Sequence, residues 1–415
     1  MLGIRLLEGR LEAEARFGRH MRVLIVTTSY PSRRAPHNGV FIREHALALL
    51  ARGVEVFVLA PRVFEEDPVD VEDEGIAVHR FGFWSEQKLL TEYKGIPVVR
   101  MLTYLLGGIA AGARLALEVD PDIVHGHWAI PTGFIALIAN SLSVRRPVIV
   151  TAHGSDVVVA LSGSRIARFL ARFTLLRANR VITVSHALCN TLVGDLGMRE
   201  SRVDVVPMGV DTDVFAPSDR AAARERLEIA PDARLILFVG GLLPAKGVAD
   251  LNEAMPSIAP DDPAVLLALA GHGPLENALR AQAADLGQAE RVRLLGAVPH
   301  EELPLWMNAA DVLVLPSYRE GLPVCLMEAA AVGLPMVATD VGGSAEVLSL
   351  DPRNVLVAPG DVAGLARAVS AVLAAPRTER TSMLAPESLF TLDGSIGRVV
   401  QLYEQLAAAA TLGRR

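Results

Sequence analysis

Two carboxylates eight positions apart are the sharpest chemical signal in the chain: Glu320 and Glu328, in Glu320-Gly321-Leu322-Pro323-Val324-Cys325-Leu326-Met327-Glu328. They follow an apolar run at 312–315 and Pro316-Ser317-Tyr318-Arg319. Gly321 and Pro323 break regular structure, and a helix is expected from about Val324, its first amides pointing at whatever lies above the strand end. Paired carboxylates suggest a glycosidase, but a retaining glycosidase holds them about 5–5.5 Å apart. Eight helical residues span about 12 Å. The pair is therefore expected to touch different parts of one long ligand, one on sugar hydroxyls and the other on ribose hydroxyls. An acidic first turn favoured by the helix dipole would explain Glu320, but less easily Glu328.

Phosphate chemistry is suggested by Gly240-Gly241-Leu242-Leu243-Pro244-Ala245-Lys246-Gly247, which follows a strong strand signal and opens a helix. Lys246 would set an ammonium beside free backbone N–H groups, as a diphosphate requires. A glycine-rich turn with a solvated lysine is the plainer reading. The Gly-Lys-Ser/Thr ending of an NTPase loop is missing. Gly271-His272-Gly273 is half a dinucleotide fingerprint without the third glycine, and packing of a tight strand–helix turn explains these glycines better. Gly39, in Asn38-Gly39-Val40-Phe41, would let a ligand approach the backbone, although Asn-Gly also makes an ordinary turn. Metal ligation is not expected. Asp211-Thr212-Asp213 reads as a hinge turn, and His125-Gly126-His127 shows no evident third ligand. These histidines fit better at a strand end, with His127 and Trp128 on the acceptor side. Cys189 and Cys325 form no metal-type spacing.

The elements that must position these groups alternate. Short β-branched runs at 23–27, 54–59, 123–125, 148–151, 181–184 and 203–206 are separated by helical patterns at about 38–52, 100–118, 131–142, 164–178 and 186–196. The rhythm restarts with runs at 235–239, 265–269, 292–294, 312–315, 336–338 and 355–357. Continuous rather than alternating runs imply buried parallel strands. The 415-residue chain, 51% hydrophobic and 21% charged, is long enough for two domains. The expected fold class is α/β, with two doubly wound Rossmann-like domains facing a cleft. The boundaries are an extension at 1–20, an N-terminal domain at 21–208 and a C-terminal domain at 209–394. The seam is rich in Gly, Pro and Asp, and a last helix covers 395–410. The net charge of −7 argues against wholesale nucleic-acid binding. The extension is not a signal peptide, and no uninterrupted apolar stretch is long enough to span a membrane.

Taken together, these motifs give a resemblance. From about Met21 to Leu406 the chain resembles the retaining family 4 glycosyltransferases of the GT-B fold. It does so through Asn38-Gly39, Thr151-Ala152-His153-Gly154-Ser155-Asp156, Val206-Pro207-Met208-Gly209-Val210-Asp211, Lys246-Gly247 and the Glu320/Glu328 pair. Ser29-Tyr30-Pro31 with Asn38-Gly39-Val40-Phe41-Ile42-Arg43 is similar to the teichuronic-acid-type bacterial polysaccharide branch. The resemblance implies a C-terminal domain that binds a nucleotide sugar and an N-terminal domain that binds the acceptor. It implies that Glu328 holds the ribose, and that Glu320 with the amides of Gly321 and Leu322, next to Pro323, positions the sugar. By the same resemblance Lys246 neutralises the diphosphate, His153 lies beneath the transferred sugar, Leu295 to Val298 wall the base, and the last helix crosses back onto the N-terminal domain. Asp156 is assigned to the acceptor side. The family commonly carries arginine where this chain has Gly241, which removes a fork-shaped phosphate donor. Lys246 with backbone amides, or another arginine such as Arg319, must then suffice.

The resemblance implies transfer of a hexose-type sugar from a UDP- or GDP-linked donor to a glycan, lipid-linked or small-molecule acceptor, with retention, no cofactor and no metal. Arg165, Arg168 and Arg172 share a helical face interleaved with Ile166, Phe169 and Phe173, within a stretch free of acidic residues from 157 to 194. The face suits either an anionic membrane or plain solvation. The expected location is the cytoplasm, with possible peripheral contact at the inner face of the membrane. Two rivals remain: a GT-B-fold sugar-nucleotide epimerase, and a non-catalytic nucleotide-sugar-binding subunit, which Gly241 would suit.

Overall fold

The computed structural model describes residues 20–90, 98–258, 260 and 262–412. The proposed extension, apart from His20, lies outside them. The chain divides into two compact units: one runs to Met208 and resumes at Ser395, and the other is Gly209–Gly394.

The first unit is built on β1 (Arg22–Val26), β2 (Glu55–Arg62), β3 (Asp70–Asp73), β4 (Ile76–Gly82), β5 (Ile123–His127), β6 (Val148–Ala152), β7 (Arg180–Thr183) and β8 (Val203–Val205). They form one sheet in the order β3-β4-β2-β1-β5-β6-β7-β8. Every pairing is parallel except β3 with β4. Central strands β5 and β6 are buried along their whole length. That is why their sequences do not alternate. The β3–β4 hairpin was not legible. Its Asp-Val-Glu-Asp strand lies at the sheet edge and is largely exposed, so it lacks the apolar run by which the inner strands are recognised.

Helix Val98–Val119 carries Arg100, Arg114 and Glu118, so its apolar run is interrupted, as expected from the sequence. By length and composition alone it is long and apolar enough to cross a membrane. Its spacing of small residues has a local cause: ideal Cβ atoms at Gly108 and Gly112 would meet Ile135 at 2.6 Å and Ala139 at 3.1 Å. One face therefore packs on helix Phe134–Leu142, with Tyr104, Leu115 and Ala116 buried. From Ser395 onward the last helix, Leu392–Leu412, belongs to the first unit. Its Tyr403 is fully buried with the hydroxyl 2.6 Å from Nδ1 of His125, and Arg398 pairs with Asp204 at 2.7 Å.

The second unit comprises β9 (Arg234–Val239), β10 (Val265–Ala270), β11 (Val292–Gly296), β12 (Val312–Leu315), β13 (Met336–Thr339) and β14 (Val355–Val357). Their order is β11-β10-β9-β12-β13-β14, all parallel. Asp311 anchors its base. The carboxylate accepts from Leu235 N at 2.8 Å and pairs with Arg224 at 2.7 Å, Arg377 at 3.1 Å and Arg220. Burial pushes this carboxyl upward, but the Leu235 amide and the arginines hold it below its ordinary 3.8. Its contribution to stability is therefore complete above that value and lost as pH falls below it. Asp311→Ala is expected to cost about 3–5 kcal/mol by leaving the buried Arg224 guanidinium without its counter-charge. A urea titration of the variant checks this.

Each sheet reverses its winding once, at β1/β5 in the first unit and at β9/β12 in the second. Ligands of doubly wound sheets bind beyond the carboxyl ends of the strands at such points. The segments that follow those four strands carry most of the candidate residues.

Candidate active site

In the second unit, the loops after β9 and β12 are locked together. Gly247 has φ +61°, and a Cβ there would run into the carbonyl of Pro316. Tyr318 N donates to Ala245 O at 2.9 Å. This close approach brings Lys246 to Glu320, with Nζ 2.7 and 2.9 Å from the two carboxylate oxygens. Ser317 Oγ donates to Oε1 of Glu320 at 2.6 Å. The loop is braced further by Gly343 N donating to Gly321 O at 2.8 Å. The sequence assigned Lys246 and Glu320 to separate parts of a ligand. The structure makes them one ion pair, in which the ammonium neutralises a largely buried carboxylate.

Glu328 lies on the inner face of helix Val324–Val332, 3% exposed, and His300 Nε2 is 2.8 Å from its Oε1. The His300 ring lies 5.2 Å from that of Phe215. The two glutamates thus have different partners, Lys246 and Ser317 for Glu320 and His300 for Glu328. No side chain caps the helix at Pro323. Burial, then the charges of Glu328 and Glu320, raise the Cys325 thiol well above its ordinary value, so it is no nucleophile. Leu322 and Pro323 are buried, while Gly321, Leu295 and Val298 keep partial exposure.

The glycines divide by what their backbones do. Gly240 N donates to Ala270 O at 3.0 Å and Gly271 N to Gly296 O at 2.8 Å. These two amides continue the sheet and are not available to a phosphate, which corrects their assignment as donor ligands. Gly273 is a packing glycine, since a Cβ there would strike the backbone of Leu242. Gly241 differs: a Cβ would meet the Leu243 side chain at 3.4 Å and the His272 carbonyl oxygen at 3.9 Å, both ordinary contact distances. Arg319 is exposed and makes no hydrogen bond or ion pair among the described residues.

In the first unit, Gly39 is left-handed at φ +81°, and a Cβ would lie 2.6 Å from the Ser29 carbonyl, so this position packs the loop after β1. Beyond β5 and β6 an aromatic group gathers around His153. Trp128 is 4.5 Å away between ring centroids and Phe41 is 5.6 Å away. Trp128 adopts φ +65°, a strained value for a bulky residue. His127 Nδ1 lies 3.0 Å from His153 Nε2. Asp156 is not an acceptor contact. It is 2% exposed, and its carboxylate accepts from the amides of Ala129 at 2.7 Å, Gly154 at 2.9 Å and His153 at 3.1 Å. It ties the β5 and β6 loops together.

The expected lack of a third histidine is also corrected. His45, on helix Val40–Ala51, offers a ring nitrogen within 4.8 Å of one from each of His125 and His127. His125 has both nitrogens engaged, with Tyr403 and with Thr151 Oγ1 at 2.7 Å. Its ring is stacked on His127 at 4.4 Å and 27°, so the two cannot aim at one ion without turning.

Two Rossmann-like units, one with a lysine–glutamate pair and a second buried glutamate beyond its switch point, are the arrangement expected of a glycosyltransferase of the GT-B type. The comparisons agree. Residues 39–214 match the model of Glycosyltransferase Family 4, and 219–385 match Glycosyl transferases group 1. The chain is 30% identical over 368 residues to the teichuronic acid biosynthesis glycosyltransferase TuaC of Bacillus subtilis, covering 84% of this chain and 88% of that protein. The chain belongs to the family 4 glycosyltransferases. Solved structures share the fold. Sucrose-phosphate synthase from Thermosynechococcus elongatus has TM-score 0.79 at 23% identity, covering 94% of this chain and 100% of that one. Anabaena HepE in complex with UDP-glucose has TM-score 0.65 at 20% identity, covering 92% and 100%.

Proposed function

We propose that this glycosyltransferase moves a hexose-type sugar from a UDP- or GDP-linked donor to a glycan, lipid-linked or small-molecule acceptor, with retention of configuration. The observation that carries the proposal is the Lys246–Glu320 pair beyond β9 and β12, one helix from Glu328. On donor binding, the diphosphate draws Lys246 away from Glu320. The carboxylate is then free for the sugar, and Glu328 for the ribose. The acceptor hydroxyl attacks the anomeric carbon on the face from which the diphosphate departs, and its proton passes to the leaving phosphate oxygen. The protein supplies position and charge neutralisation, without a protein nucleophile. No metal or cofactor enters this scheme. NMR of the product anomer from an α-linked donor tests it: an inverted product would refute the mechanism.

Gly241 offers a gain-of-function test. The site has room for a side chain, and an arginine there would add a bidentate phosphate contact of about 1.5–3 kcal/mol. Gly241→Arg is expected to tighten nucleoside diphosphate binding about 10-fold or more, measured by calorimetry.

The basic helix supports a cytoplasmic enzyme resting on the inner leaflet to reach a lipid-linked acceptor. Arg165, Arg168 and Arg172 are exposed beside Ile166 at 74% and Phe169 at 66% exposure. Sedimentation with anionic vesicles at low salt is expected, with loss of binding when the three arginines become glutamine. Absence of binding by the unaltered protein would remove this contact.

A further inference from the structure

Four imidazoles meet at the carboxyl end of β5: His125 and His127 on the strand, His153 just after β6 and His45 on helix Val40–Ala51. The hydrogen on one of them decides what the outermost can do. His127 is fully buried. Its Nδ1 is 3.0 Å from His153 Nε2, while the ring centroids are 5.3 Å apart and the planes differ by 28°. A nitrogen separation so much shorter than the centroid separation means that the rings meet edge to edge, in the geometry of an N–H···N bond. One hydrogen lies in that bond.

Its owner follows from the far side of His127. Nε2 of His127 is buried and finds no hydrogen-bond partner among the described residues. Burial, with His125, His153 and His45 nearby, holds the ring uncharged, so it carries a single N–H. A hydrogen on Nε2 would be a buried donor without an acceptor. A hydrogen on Nδ1 is used in the bond, and only a lone pair goes unmet. Buried orphan donors are the rarer and costlier defect. His127 therefore donates from Nδ1 and His153 accepts at Nε2. Burial also keeps His153 uncharged, at about 3, so its own hydrogen sits on Nδ1. His153 remains partly exposed with Nε2 turned to His127, which leaves Nδ1 as the nitrogen a ligand meets.

We infer that His127 is a positioning residue that fixes His153 as a neutral Nδ1–H donor, suited to a sugar hydroxyl or another uncharged acceptor atom. Naming a sugar rests on the glycosyl-transfer proposal; the tautomer does not. The groups packed about the pair are His45, His125, Trp128, Phe41 and the Asp156 carboxylate, which is engaged with backbone amides including that of His153. None presents a free charge to the rings. In this tautomer His153 is neither a base through Nδ1 nor an anion-binding imidazolium.

Long-range 1H–15N correlation spectra of the full chain carrying 15N-histidine, assigned with His153→Ala and His127→Ala, test this directly. The expected result is an Nδ1–H pattern for His153, unchanged from pH 6 to 8. His127→Asn, whose amide can present a donor near the Nδ1 position, should keep it. His127→Leu should lose it, and kcat/KM should fall about 10-fold and acquire a new pH dependence below pH 7. An Nε2–H pattern for His153 in the unaltered protein, or an Nδ1–H pattern that survives His127→Leu, would overturn the inference. An Nδ1–H pattern in a protein that transfers no sugar would uphold the inference and count against the transfer proposal.

Discussion

Lys246→Ala is expected to lower kcat for sugar transfer by about 10²–10³-fold, the usual effect of removing one preorganised charge from a developing anion. The reason lies in what Lys246 touches before the donor arrives. Its ammonium neutralises Glu320 at 2.7 and 2.9 Å, in a site that keeps the carboxylate largely out of water. Alanine removes the charge that would stabilise the leaving diphosphate and strands Glu320 with only the Ser317 hydroxyl. The variant therefore combines a catalytic with a structural defect, and the two are separable. Lys246→Ala combined with Glu320→Gln removes both charges and should recover stability without recovering turnover. Recovery of turnover in the double variant would show that Lys246 acts only by neutralising Glu320.

Glu328→Ala has a different expected signature: donor KM rises about 30–100-fold with a smaller change in kcat. A buried carboxylate that accepts hydrogen bonds from a bound hydroxyl is worth about 1.5–3 kcal/mol, and ribose contacts remote from the reacting carbon act equally in ground and transition states. His300, 2.8 Å from Oε1, orients the carboxylate and loses this contact in the variant. His300→Ala should thus give a weaker version of the same KM effect. Steady-state kinetics at saturating acceptor distinguish the two patterns. A fall confined to kcat would move Glu328 to the reacting centre.

What the sequence disclosed and what it concealed follow from sequence separation. Strands such as Val148–Ala152 are buried on both faces, so an unbroken apolar run reveals them. The Glu320 loop was legible because Gly321 and Pro323 interrupt a strand–helix connection at a distinctive spacing. The contacts that specify roles join residues that no spacing relates. His45 reaches His127 from a helix about eighty positions earlier, and Tyr403 reaches His125 from the last helix. Ser317 is three residues from Glu320, yet nothing in its type marks it as a donor. Asp156 was placed on the acceptor side with the Thr151–Asp156 motif, and the motif does not show where its carboxylate turns. Only the three amides around it show that it fastens two loops.

The central claim is that the Lys246–Glu320–Glu328 group binds a nucleotide sugar. The most direct measurement is thermal unfolding of the unaltered protein and of Lys246→Ala with UDP, GDP, ADP and their common sugar conjugates. A ligand at about 100 times its dissociation constant adds about 2.7 kcal/mol to the unit it binds, or roughly 5–10 °C for one near 200 residues. The account predicts such a shift with one nucleotide class and its collapse in Lys246→Ala. A shift of equal size in both proteins would place the nucleotide elsewhere, and no shift with any of them would contradict the account.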